Sequence, residues 1–122
     1  MIEHYFESIG KVLSGFNEII VEQIIRKKLY NDTQGVFSGS ILFVDESELS
    51  FMELVDIEIT NKQKYKYQYM GKNKQLVFRY DNSKHHPEIE SFPHHKHTCE
   101  RIKPTSEPEL LDVLVEIQGI IR

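Results

Sequence analysis

Residues 64–70 read KYKYQYM, an unbroken alternation of aromatic and polar side chains. In an extended chain this places Tyr65, Tyr67 and Tyr69 on one face and Lys64, Lys66 and Gln68 on the other. The stretch is therefore read as a strand with one face suited to a core. Gly71-Lys72-Asn73-Lys74 follows as a turn, and QLVFRYD at 75–81 supplies a second strand. Together they specify an antiparallel hairpin.

The rest of the chain is read around that hairpin. Ile2, Phe6, Ile9, Leu13 and Phe16 recur at helical spacing and predict a short N-terminal helix, weakened by Gly10 and Gly15. The β-branched run within 18–30 suits a strand, with a helix as the alternative. VFSGSILFV (36–44) and ELSFMELVDIEI (48–59) are two strands joined by the acidic turn Asp45-Glu46-Ser47. Pro87 and Pro93 mark a stiff loop, after which HHKHTCERI (94–102) returns to the sheet. At the end, Ser106 with Glu109 fits a capping box, with Pro108 in the first turn. Leu110, Leu114, Ile117 and Ile121 then mark one face, widened by Val113 and Ile120. The expected fold is α+β: an antiparallel sheet of about five strands, with a short N-terminal helix and a C-terminal helix packed on it. The 122 residues suit a single domain spanning 1–122.

Charge is unevenly placed. Net charge is −4, yet residues 61–103 hold ten Lys or Arg against four acids, a net +6. The remainder holds five basic and fifteen acidic residues, a net −10. Such a split steers a polyanion to one region, although a solvated face of Lys-rich strands has the same composition. No apolar run approaches the roughly 20 residues of a membrane helix. The start, MIEHYFESIGKVL, lacks a basic region followed by an apolar core, so no secretory signal is expected. The one cysteine, Cys99, excludes an internal disulfide and fits a reducing cytoplasm.

Strand parity makes Glu53 conspicuous, because Leu49, Phe51, Val55, Ile57 and Ile59 share its face. A buried carboxylate is costly unless paired or neutralised. Arg79 shares a face with Val77 and Asp81, and Glu53 and Arg79 are expected to meet across the sheet. The histidines are more conspicuous still. His85, His86, His94, His95 and His97 are five of the chain's six, all within RYDNSKHHPEIESFPHHKH (79–97). As a metal site, an extended 94–99 would align His95, His97 and Cys99, but this spacing matches no closed structural zinc pattern. No metal and no cofactor are expected. As a phosphodiester site, two imidazoles would serve as base and acid while Arg79, Lys84 and Lys96 stabilise phosphorane charge. As scaffold, the histidines would hold a stiff loop by hydrogen bonds.

The joint pattern resembles the TumE family of toxin–antitoxin proteins. The resemblance rests on the tyrosine strand from Tyr65 to Tyr69, the Arg79-Tyr80-Asp81-Asn82 run, His85-His86-Pro87, and Phe92-Pro93-His94-His95-Lys96-His97. Leu49 and Glu53 resemble the strand preceding that core, and the likeness covers roughly residues 35–120. Ser83-Lys84 departs from the pattern, where a small residue followed by proline is expected. The resemblance implies a small cytoplasmic prokaryotic toxin encoded beside an antitoxin protein that neutralises it.

Ribonuclease activity is a separate inference, from the histidines and by analogy with small toxins in general. The expected catalytic set is Arg79, Asp81, His85, His86, His94, His95, His97 and Glu53. The expected nucleic-acid-binding set is Lys64, Lys66, Tyr67, Lys84 and Lys96. Candidate partners are the antitoxin, RNA and a second copy of the chain; no membrane partner is expected. The alternative function is a non-catalytic module that binds nucleic acid or protein through the basic, tyrosine-rich hairpin.

Overall fold

A computed structural model describes residues 2–59, 62–84, 88 and 91–122. Helix α1 (Ile2–Ser14) leads into strands β1 (Ile20–Leu29), β2 (Gln34–Phe43), β3 (Glu48–Asp56), β4 (Lys64–Met70) and β5 (Leu76–Asp81). Short strands β6 (His95–Thr98) and β7 (Ile102–Pro104) follow, and α2 (Leu110–Ile121) closes the chain. The strands form one antiparallel sheet in sequence order, β1 to β7. Seven strands replace the expected five or so. The stretch 94–102 breaks at Cys99 into strands of four and three residues, each too short for alternation to reveal.

Both helices cover the same face. Phe37, Glu53 and Tyr65 lie in register across β2, β3 and β4, so they share a face, and the α1 residue Tyr5 donates to Glu53. Tyr67 and Tyr80 are likewise paired, and Tyr80 Oη donates to Glu116 of α2 at 2.7 Å. Tyr65, Tyr67 and Tyr69 therefore enter the core beneath the helices, each about 1% exposed or less. Phe6, Phe37 and Phe51 continue that aromatic layer through ring contacts with centroids 5.3 and 5.6 Å apart. Gly35 makes room for it, since a Cβ there would stand 3.1 Å from the Phe6 ring and 2.9 Å from the Lys28 carbonyl oxygen. The opposite face carries Ser38, Ser40, Ser50, Lys66 and Gln68. A single antiparallel sheet accommodates this asymmetry, with one face packed and one solvated.

The C-terminal helix begins later than its sequence suggests. Glu109 is extended (φ −97°, ψ 160°) and caps the helix, its N–H donating to Asp112 Oδ2 at 2.8 Å. Ser106 is not the cap. Pro108 disfavours a helical conformation for Glu107, so the first turn cannot form where Ser106 would start it. Lys62 then fastens the extended stretch, with Nζ donating to the Pro108 carbonyl at 3.0 Å and to Glu109 at 3.1 Å.

Candidate functional site

The β5–β6 ladder brings together residues that are distant in sequence. Arg79 pairs with His97 and Asp81 with His95. Paired residues share a face, and this one lies opposite the helices. Asp81 ends β5, where Asp81-Asn82-Ser83 turns the chain. Asp81 Oδ1 accepts the Ser83 N–H and hydroxyl, each at 3.0 Å, the local pattern that Asp favours at turns. Asn82 fastens the same corner to β4, accepting the Tyr65 N–H at 3.0 Å and donating to the Gln63 carbonyl at 3.2 Å.

Four side chains converge there. Arg79 Nε donates to Asp81 Oδ2 at 3.0 Å. His95 is 1% exposed, with Nε2 at 2.6 Å from Asp81 Oδ1. His97 Nε2 lies 3.4 Å from Asp81 Oδ2, and the two imidazole rings meet edge to face with centroids 4.6 Å apart. His95 Nδ1 lies 2.9 Å from the Pro93 carbonyl oxygen; a carbonyl only accepts, so Nδ1 carries the proton and Nε2 faces the carboxylate. Burial pulls the Asp81 carboxyl upward. The Ser83 N–H, the Ser83 hydroxyl, the His95 charge and Arg79 outweigh it and hold the group below the ordinary carboxylate range. The centre is thus an ionised carboxylate ringed by donors, open to solvent mainly past Arg79, whose side chain is 32% exposed.

Other sequence candidates lie elsewhere. Glu53 and Arg79 do not meet: Glu53 pairs with Tyr65 on the helix face, whereas Arg79 pairs with Gln68 on the open one. Glu53 is fully buried, accepting hydrogen bonds from Tyr5 and, at 2.5 Å, from Tyr67. Tyr67 is itself 0% exposed and has no face to offer a base. His94 turns away from its neighbour His95. Its Nδ1 lies 2.8 Å from the Tyr65 hydroxyl, within hydrogen-bond distance, and the two rings stack with centroids 5.8 Å apart. Lys96 sits under α2, donating to Glu116 at 2.7 Å and lying over the Tyr80 ring at 4.9 Å, so its charge is committed inside the fold. His85 and His86 fall outside the described residues. Cys99 is exposed in the turn after β6 and does not align with His95 and His97.

Much of the sequence charge asymmetry is cancelled in space. Lys72 pairs with Glu46, Lys74 with Glu48, Lys62 with Glu107 and Glu109, and Lys96 with Glu116. Lys64, Lys66 and Lys84 enter no ion pair among the described residues. Lys66 lies directly across from Asp81 on the open face. Lys64 and Lys84 flank a shallow groove with Gln63, Asn82 and Ser83. Sequence reasoning did not single out Ser83 or the Pro93 carbonyl, which orient Asp81 and His95. An Asp-Asn-Ser run favours a turn, but nothing in it points to the histidines.

A seven-stranded sheet with helices on one face and an imidazole-bearing cluster around a carboxylate on the other defines a small α+β protein. The family model described as Toxin TumE matches residues 9–121, and the chain belongs to that family. The match extends the likeness read from the motifs back through β1 and half of α1. No curated protein and no solved structure matches the chain. No helix among the described residues is long and apolar enough to cross a membrane.

Proposed function

We propose that this toxin acts on RNA and cleaves its phosphodiester backbone at the cluster of Arg79, Asp81, His95 and His97, and that a cognate antitoxin protein neutralises it. The observation that carries the reading is the convergence of two imidazoles and a guanidinium on one carboxylate, on the open face beside Lys64 and Lys66. Arg79 presents the outer edge of its guanidinium to a phosphate while Nε stays on Asp81. His97, the more exposed of the two imidazoles, serves in proton transfer, and the buried His95 holds the Asp81 carboxylate that orients Arg79. One imidazole takes the proton of the ribose 2′-OH, and the freed oxygen attacks phosphorus. The 5′-oxygen leaves with a proton from a second imidazole, and a 2′,3′-cyclic phosphate remains. His85 or His86 is the candidate for that second role. This route needs no metal. Lys64, Lys66 and Lys84 track the backbone on either side without reading sequence.

The test is RNA integrity after incubation with purified, chelator-treated protein, read beside growth arrest on expression. Wild type should cut RNA and arrest growth. Arg79→Ala and His97→Ala should each lower cleavage by about 100-fold, the scale for removing one donor to transition-state charge. RNA bound but left intact by wild type would replace this reading with a non-catalytic binding module.

A further inference from the structure

We propose that Asp81, His95 and His97 also form a binding centre for one divalent transition-metal ion of the zinc class, and that the occupied centre is the inhibited state of the toxin. The part about inhibition rests on the function proposed above; the binding does not. One oxygen of Asp81 and one ring nitrogen from each histidine lie within 4.8 Å of one another. Asp81 and His95 are buried and His97 is partly so, which distinguishes this trio from surface acids that gather without a ligand. Two imidazole nitrogens and one carboxylate oxygen suit zinc, cobalt or nickel and discriminate against magnesium and calcium, which prefer oxygen alone.

The surroundings are those of a prepared ligand set. A histidine that binds metal through Nε2 commonly donates its Nδ1–H to a carbonyl or carboxylate, which fixes tautomer and ring direction. His95 does this with Pro93 at 2.9 Å. Asp81 is aimed in the same way by the Ser83 N–H and hydroxyl. Strand geometry supplies the rest, since His95 and His97 are two apart on β6 and Asp81 is the cross-strand partner of His95. Tetrahedral ligands at about 2.0–2.1 Å from zinc stand about 3.3 Å apart. His97 Nε2 stands 3.4 Å from Asp81 Oδ2 and His95 Nε2 2.6 Å from Oδ1, so serving one ion through a single carboxylate oxygen takes a rotation of the carboxylate and an opening of the His95 contact by less than 1 Å. Three protein ligands leave a further coordination position free. Metal there occupies the lone pair through which His97 would move a proton, so it blocks acid–base cleavage.

Isothermal titration of untagged, chelator-treated protein with Zn²⁺ decides the binding. One ion per chain is expected, with Mg²⁺ giving no heat. Co²⁺ should yield a visible absorption band of nitrogen–oxygen coordination, without the thiolate charge-transfer band that Cys99 would add. His97→Ala, at the more accessible ligand, should weaken Zn²⁺ binding at least 100-fold while the far-ultraviolet circular dichroism is unchanged. Cys99→Ser and a His85→Ala/His86→Ala double variant should bind as wild type does. No stoichiometric binding by wild type, or binding lost only in the His85/His86 variant, would overturn the site. Cleavage assays then separate the two proposals: zinc that binds and suppresses cleavage supports both. Zinc that binds while metal-free protein leaves RNA intact retains the site and removes the ribonuclease. Zinc that accelerates cleavage removes the inhibitory role and the metal-free route together.

Discussion

Glu53 occupies the middle of the core with no exposed surface, and its carboxyl is raised above the ordinary range. Burial is the main cause, opposed by hydrogen bonds from Tyr5 and Tyr67 and by the charge of Lys62. Both tyrosine hydroxyls stay protonated, held up by burial and by the carboxylate beside them. The sign of the linkage follows. A carboxyl whose folded pKa exceeds its unfolded value, about 4.3 for Glu, binds more protons in the native state between those two values. Its cost is absent below about pH 4.3 and grows as pH rises through the folded pKa. Glu53→Gln removes that dependence. Urea midpoints from pH 4 to 8 should show the variant gaining on wild type as pH rises; a constant gap would contradict the assignment. At Asp81 the balance goes the other way, because three hydrogen bonds from Ser83 and Arg79, together with the His95 charge, outweigh burial. Two buried acids on opposite faces of one small sheet are thus shifted in opposite directions because their surroundings differ.

At the scale of elements, α2 serves as a latch for the ladder that bears the cluster. Glu116 accepts from Tyr80 on β5 and from Lys96 on β6, both at 2.7 Å. Strand β6 is only four residues long, too short to be held by ladder hydrogen bonds alone. Glu116→Ala leaves Lys96 partly buried without its carboxylate. It should cost about 1–3 kcal/mol of stability in denaturant titration, the penalty for stranding a buried donor. Pairing Glu116→Leu with Lys96→Met should recover most of that loss, because replacing both partners removes the stranded charge. A double variant no better than the single one would place the latch elsewhere. The hairpin turn before β5 has its own local strain: Lys74, not Gly71, takes the left-handed conformation at φ 66°. The turn was legible from Gly71-Lys72-Asn73-Lys74, but which residue bends was decided by the register that also places Lys74 Nζ on Glu48.

For the whole molecule, the division into two faces matters more than net charge. Glu46, Glu48, Glu107, Glu109 and Glu116 neutralise Lys62, Lys72, Lys74 and Lys96, leaving Lys64 and Lys66 on the same open face as Arg79. RNA affinity should therefore fall with salt at a slope set by few contacts. Lys64→Gln and Lys66→Gln should each make the plot of log affinity against log salt shallower by about 0.7, the single-strand value per phosphate contact. Fluorescence anisotropy with a labelled oligonucleotide reads this directly, and an unchanged slope would place the track elsewhere. By itself the sequence determined the α+β class, the strand at 64–70 and the inward position of Glu53, because alternation and helical spacing are local properties of the chain; it did not tell that Tyr67, expected to bind nucleic acid, is buried in the core. It also carried the family resemblance, in the motifs between Tyr65 and His97. It did not determine that β6 and β7 are separate strands, that Glu53 and Arg79 face opposite sides, or that His94 and His95 part company. Those depend on register between strands distant in sequence, and a shift of one residue exchanges the faces. The tertiary structure alone decided that Asp81, rather than Cys99 or Glu53, is the group on which His95, His97 and Arg79 converge.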